Sequence, residues 1–183
     1  MTSRYDDELW ELVADHERVP PAHLRAFVES LPRAGDALDL GCGEGSLTLA
    51  VRAGRLTAAD VSRVALERAR ARLEPDARLV ELEPDAPLPL GDGEFDLVLC
   101  AETIEHVRDV QLFLSEIRRV LRPGGTLALT TPAHLPVGRR PHPLSPHLRF
   151  FTRRSLRTLL GELGFEVGSL ERRAGTLLVR ASR

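Results

Sequence analysis

The stretch Asp39-Leu40-Gly41-Cys42-Gly43-Glu44-Gly45 constrains this chain more than any other. It follows a short apolar run and precedes a helical pattern. Asp60 stands twenty-one positions past Asp39, at the end of a second strand-like run, Leu56 to Ala59. A glycine-rich turn after one strand and an acid after the next make a βαβ unit suited to a nucleoside. Glycines let the backbone come close to a ligand, and the acid suits two ribose hydroxyls.

The spacing argues against a dinucleotide. That fingerprint reads G-x-G-x-x-G/A and holds a pyrophosphate on the helix N-terminus. Here the glycines read G-x-G-x-G, position 46 is Ser, and Glu44 would repel a pyrophosphate. A carboxylate-rich site fits a cofactor with cationic groups better. S-adenosylmethionine (SAM) has a sulfonium, an ammonium and one carboxylate. A glycine turn that binds nothing is the other reading of this pattern taken by itself.

A length of 183 residues predicts one domain with a well-buried core. Hydrophobic content of 43% and charged content of 28% are ordinary for a soluble globular protein. Aromatics make up only 4%, so stacking platforms for nucleic-acid bases are few. No apolar run reaches the length of a membrane span, and the acidic N-terminus has no signal-peptide core. Cys42 and Cys100 fall in a glycine turn and at a strand end. Neither placement suggests a disulfide, so a reducing cytoplasm is the expectation. All 25 basic residues are arginine, which excludes a lysine Schiff base or a lysine general base. Residues 139–183 hold ten Arg against three Glu. This basic part could attract an anionic substrate, or it could be a solvated helix face.

Residues 7–31 read as amphipathic helices broken at Pro20-Pro21, with Leu24, Phe27, Val28 and Leu31 on one face. A strand is expected over Ala37 to Leu40, a helix over Ser46 to Arg52 stopped by Gly54, and a strand over Leu56 to Ala59. Ser62 should cap a helix to Leu73. Strands follow at Arg78 to Leu82 and Phe95 to Leu99. Asp109 caps a helix to about Leu121, closed by Pro123-Gly124-Gly125, and Thr126 to Thr130 is a fifth strand. Thr152 caps a last helix ending at Gly164, before strands near Phe165 to Leu170 and Thr176 to Arg180. Strands alternate with helices until the final pair, which predicts an α/β sheet, mainly parallel, with a terminal hairpin. Residues 131–151 form one long proline-rich segment leaving the carboxyl end of a strand, where such sheets bind ligands.

The segments "DLGCGEG", "AADVS", "PLPLGDGEFDLVLCAETIEHV", "FLSEIRRVLRPGGTLALTTP" and "HLRFFTRRSLRTLLGELGFEV" occur in that order. With them the chain resembles the class I SAM-dependent methyltransferases. Within these it is similar to the type 11 branch, which includes the ubiquinone-biosynthesis O-methyltransferases. The resemblance covers roughly residues 36 to 170. It implies a Rossmann-like seven-stranded sheet with helices on both faces and an antiparallel last strand beside the fifth. It implies one domain over 1–183: a helical lid (1–35), a SAM-binding core (36–130), a substrate loop (131–151), and a C-terminal helix and hairpin (152–183). Asp39, Gly41 and Gly43 would line the methionine part of SAM, and Asp60 would hold the ribose. Cys42, Val61 and Cys100 join the cofactor-contacting set. An acid after the third strand normally meets the adenine amino group. Asp85, followed by Ala86, matches that position, and Glu83 is the alternative. Asp96 reads as structural.

Glu102-Thr103-Ile104-Glu105-His106 follows the fourth strand. Two carboxylates and an imidazole so close can converge on Mg²⁺ or Mn²⁺, with His147 as a further ligand. Some relatives bind a metal through this E-x-x-E-H motif, and many relatives with similar segments have no known metal. Without a metal, His106 and His147 remain candidates for the acceptor pocket, with His106 as general base or as a buried structural residue. His134 and His142 read as surface residues, and His16 and His23 as residues of an exposed helix face or of a lid over the cleft. Tyr5 and Trp10 could close over the cofactor, and Trp10 could equally be a packing anchor.

These readings point to a cytoplasmic SAM-dependent methyltransferase acting on oxygen or nitrogen of a small-molecule acceptor, with an anionic acceptor among the options. Two alternatives stand beside it. One is metal-assisted 2′-O-methylation of an RNA 3′ end, against which the scarce aromatics and the net charge of −2 argue. The other is a SAM-binding but catalytically silent interaction partner. The sequence leaves the acceptor and the oligomeric state open.

Overall fold

A computed structural model describes residues 3–12, 19–133 and 147–183. His16, His134, His142 and most of the proline-rich segment lie outside the described residues, as does the side chain of Tyr5. Chain order is α1 (Ser3–Leu12), α2 (Ala22–Glu29), β1 (Ala34–Leu40), β2 (Ala53–Asp60), α3 (Arg63–Arg72), β3 (Arg78–Glu81), β4 (Phe95–Ala101), α4 (Val110–Val120), β5 (Leu121–Pro132), α5 (Arg153–Glu162), β6 (Glu166–Arg173) and β7 (Thr176–Ser182). The seven strands form one sheet in the order β3-β2-β1-β4-β5-β7-β6. Strands β1 to β5 pair in parallel, and β7 runs antiparallel between β5 and β6. The mainly parallel sheet with its antiparallel last strand is thus the observed architecture.

Side chains alternate across the strands and give each face its own core. Leu38, Leu40, Val98, Cys100, Leu127 and Leu129 point to the face covered by α4 and α5. Ala37, Leu97, Leu99 and Ala128 point to the other face, where α2 supplies Leu24, Phe27, Val28 and Leu31. Helix α3 covers Ala58 of β2 on that same face with Leu66, Ala69 and Leu73. Three predicted caps are present: the side chains of Ser62, Asp109 and Thr152 accept from Ala65 N, Leu112 N and Ser155 N.

The helix expected over Ser46 to Arg52 does not form. Only a single 3-10 turn, Thr48–Ala50, stands there. The physical reason is chain length. Strand β2 starts at Ala53, and Gly54 pairs inside it instead of stopping a helix. The crossover must therefore fit into residues 41–52, and Gly41, Gly43 and Gly45 all have positive φ. Too little chain remains for a helix to develop, and Leu49 is left exposed. Pro123-Gly124-Gly125 also differs from expectation. It lies within the start of β5, because α4 already ends at Val120.

Candidate active site

The glycine turn is held by the end of β2. Gly41 N and Cys42 N both donate to Ala59 O, at 2.8 and 3.1 Å. Gly43 N donates to Asp60 Oδ2 at 2.8 Å, and Ser62 N donates to Asp60 Oδ1 at 2.9 Å. One carboxylate thus fixes the turn to the start of α3. Burial pushes the Asp60 carboxyl above its ordinary pKa, and these backbone N–H groups oppose the rise. Gly41 has φ +80° and would place a Cβ 2.3 Å from Thr103 Oγ1. Gly43 has φ +53° and would place one 2.8 Å from the Trp10 ring. Protein neighbours as well as backbone angles demand glycine at both positions.

A cavity of about 470 Å³ opens over this turn at the carboxyl end of the sheet, a size suited to a small molecule. Gly41, Gly43, Asp60 and Val61 line one side of it. Glu83, Asp85 and Ala86 line another, so both acids considered after the third strand reach it. Asp85 holds φ +57°, a left-handed conformation that aspartate tolerates better than most residues. Glu102, Thr103 and His106 line the cavity too. Leu9 and Trp10 of α1 also line it. Helix α1 is fastened there by Asp7, whose Oδ1 accepts from Ser62 Oγ at 2.6 Å and from Val64 N at 3.2 Å.

Three predicted contact residues lie outside the lining. Asp39 is 2% exposed, faces the α2/α3 side, and accepts from Thr48 Oγ1 at 2.6 Å. Burial pushes its carboxyl up to about 7. Cys42 and Cys100 are buried, and burial drives both thiols strongly upward, which makes them inert. Glu44 is also turned away from the cavity. Arg72 Nη1 meets its Oε1 at 2.7 Å, so its charge is not available to repel a ligand. The case against a dinucleotide therefore rests on the glycine spacing. Asp96 is structural: it accepts from Asp36 N at 2.9 Å and from Arg122 Nη1 at 2.6 Å.

The Glu102-to-His106 segment turns on left-handed backbone at Glu102, φ +52°. For a residue with a long side chain this is strained, at a cost of about 1–3 kcal/mol. Thr130 holds it: Thr130 Oγ1 donates to Glu102 Oε1 at 2.9 Å and accepts from Glu102 N at 3.2 Å. Thr131 Oγ1 donates to Glu105 Oε2 at 2.9 Å. Leu148 N donates to Glu105 O at 2.8 Å, and that backbone bond brings His147 back to the segment. The His106 and His147 rings stand edge to face with centroids 4.9 Å apart. Glu105, His106 and His147 each offer a ligand atom, all within 4.8 Å of one another. Among the described residues Glu105 Oε1 is buried without a hydrogen-bond partner, and it lies 3.9 Å from His106 Nε2. Burial, then the nearby Glu102, pushes the Glu105 carboxyl up to about 8. Burial lowers the His147 pKa, which favours the neutral imidazole. Glu102 stands outside this three-residue group. Thr130 and Thr131, which position both carboxylates, were not singled out from the sequence. Their signal was the hydroxyl pair at the carboxyl end of the fifth strand.

A family model described as a methyltransferase domain matches residues 38–129. The chain belongs to the methyltransferase-domain family. A relative from Mycolicibacterium smegmatis, named a probable S-adenosylmethionine-dependent methyltransferase, is 39% identical over 72% of this chain and 52% of its own length. A ubiquinone biosynthesis O-methyltransferase of Marinobacter nauticus is 31% identical over 72% of this chain and 58% of its own length. This methyltransferase domain spans about half the length of those curated relatives. Among solved structures, a SAM-dependent methyltransferase from Aquifex aeolicus aligns over 100% of this chain and 98% of that one, with TM-score 0.70 and 20% identity. The [4+2]-cyclase SpnF aligns over 100% and 96%, with TM-score 0.77 and 20% identity. Likeness at that identity shows the fold. No helix among the described residues is long and apolar enough to cross a membrane.

Proposed function

We propose that this methyltransferase domain binds SAM in the 470 Å³ cavity and transfers its methyl group to oxygen or nitrogen of a small-molecule acceptor. One observation carries the reading: the glycine turn, Asp60 and Asp85 line one cavity together with Glu102 and His106. The residues fit the cofactor. Asp60 presents a carboxylate where a ribose would lie, Asp85 lies across the cavity for an adenine amino group, and the glycines leave the turn open. When bound, SAM supplies an electrophilic methyl on a sulfonium. The protein aligns the acceptor in line with it, which removes much of the barrier. Trp10 and Leu9 exclude water from the cavity's roof. His106, at the acceptor end, takes the proton that a hydroxyl loses as it attacks.

Glu105 Oε1, buried without a hydrogen-bond partner among the described residues, favours a divalent cation as a variant of this reading. Glu105, His106 and His147 would then hold Mg²⁺ or Mn²⁺ in place of His106 acting as the base, and the ion's Lewis acidity would lower the pKa of an acceptor hydroxyl. The convergence of His147 on that motif also favours, as the second reading, metal-assisted 2′-O-methylation of an RNA 3′ end. Cytoplasmic action on a small molecule remains the first reading.

Titration calorimetry with Mn²⁺ tests the cation. The proposal predicts saturable binding to the parent that Glu105→Ala and His147→Ala abolish. Parent protein that takes up no Mn²⁺ removes the metal and leaves His106 acting as a base. A gel-shift titration with single-stranded RNA separates the two substrate classes: retention at low protein concentration favours RNA, and no shift favours the small molecule.

A further inference from the structure

The cavity wall formed by Asp85, Ala86 and Leu88 belongs to the irregular segment between β3 and β4. Backbone groups outside regular structure still need partners when they leave water. Here α4 supplies them. Leu88 N donates to Glu116 Oε2 at 2.8 Å. Arg119 Nη2 donates to Leu88 O at 3.0 Å, and Arg119 Nη1 donates to Leu90 O at 2.8 Å. The two side chains also bind each other twice. Arg119 Nε meets Glu116 Oε1 at 2.8 Å, and Nη2 meets Oε2 at 2.7 Å. Glu116 is 12% exposed and Arg119 30%, so the fork is sheltered, unlike an ordinary surface ion pair. Both backbone groups of Leu88 are therefore clamped by one pair of charged side chains. Leu112 and Phe113, near the start of the same helix, line the cavity as well.

We infer that Glu116 and Arg119 are positioning residues that set nucleobase selectivity by clamping Leu88 and thereby holding Asp85 and Ala86 against the bound base. The inference rests on the proposal that this cavity takes the adenosine part of SAM. Neither side chain lines the cavity, so each acts through the backbone it holds. Asp85 sits three residues before the clamp, at a left-handed turn in the same irregular segment. Releasing the clamp lets the segment relax, and the acid no longer meets the exocyclic amino group at fixed distance. Weak positioning of this kind costs specificity more than folding.

The test compares two ligands that differ only at the base: S-adenosylhomocysteine and S-inosylhomocysteine, which carries an oxygen in place of the amino group. Calorimetry on the full chain reads the affinity ratio, and circular dichroism checks the fold. Parent protein prefers the adenine ligand by about tenfold or more, the yield of one charge-assisted hydrogen bond. Arg119→Met reduces the preference to about threefold or less, and Glu116→Ala does the same. Arg119→Lys, which keeps a cation and one donor, gives an intermediate ratio and serves as the readout if Arg119→Met does not fold. Asp92→Ala leaves the ratio close to the parent's: its carboxylate, 81% exposed, meets Arg119 Nη1 at 2.6 Å, but Glu116 still holds the guanidinium on Leu88 O. A folded Arg119→Met protein, or failing that Arg119→Lys, with the parent's ratio overturns the inference alone. Parent protein that binds neither ligand overturns the cofactor reading with it. Parent protein that binds both equally keeps the cofactor reading and overturns the clamp's role.

Discussion

Asp39 shows what burial does to one carboxyl in this fold. Its carboxyl is pushed up to about 7 by burial, with one hydrogen bond from Thr48 in opposition. In the unfolded chain an aspartate titrates near its ordinary value of about 3.9. Between those values the unfolded chain has released the proton while the folded chain still holds it. Fewer protons on the unfolded side mean that stability falls as pH rises. Asp60 and Glu105, also raised, act in the same direction, and His147, with its lowered pKa, acts oppositely. Comparing parent with Asp39→Asn cancels those shared contributions. The amide cannot ionise but can still accept from Thr48. Urea unfolding at pH 5, 6 and 7 should show the variant gaining on the parent by up to about 1.4 kcal/mol per pH unit. Parallel curves for the two proteins would show that Asp39 titrates normally.

At the scale of elements, α1 and the glycine turn act on each other. Trp10 is the single tryptophan of the chain, and its ring lies where a Cβ on Gly43 would stand. Gly43→Ala must therefore displace the ring or strain the turn at φ +53°. Red-shifted Trp10 emission in the ligand-free variant, with weaker cofactor affinity, is the expected result. Emission identical to the parent would show that α1 does not rest on the turn. The sequence revealed those elements whose cause is local. Apolar runs marked the strands, Ser62, Asp109 and Thr152 marked helix starts, and glycines with Asp60 marked the turn. The segment after Gly45 misled because Leu47, Leu49, Ala50 and Val51 have helical spacing. What overrode that pattern was the early start of β2, set by pairing with β1. Likewise the seat of His147 depends on one long-range bond, Leu148 N to Glu105 O, which no local spacing discloses. Asp39 and Glu44 were read toward the ligand because the motif gives their order, not the direction each side chain takes.

The described residues form a seven-stranded sheet whose carboxyl end carries a cavity with Asp60, Asp85 and Glu102 in its lining. The same architecture in SpnF belongs to a cyclase, so the fold by itself does not choose the reaction. On the proposed reading the lining chooses: Gly41, Gly43 and Asp60 stand with Glu102 and His106 around one cavity. The central claim is that this lining recognises SAM through Asp60. Calorimetric titration of parent and Asp60→Ala proteins with S-adenosylhomocysteine, beside NAD as the competing nucleotide, addresses it most directly. Loss of charge-assisted hydrogen bonds worth roughly 1.5–3 kcal/mol predicts affinity at least about tenfold weaker in the variant, and no binding of NAD to the parent. Equal affinity of the two proteins for S-adenosylhomocysteine, or tighter binding of NAD, would contradict the account.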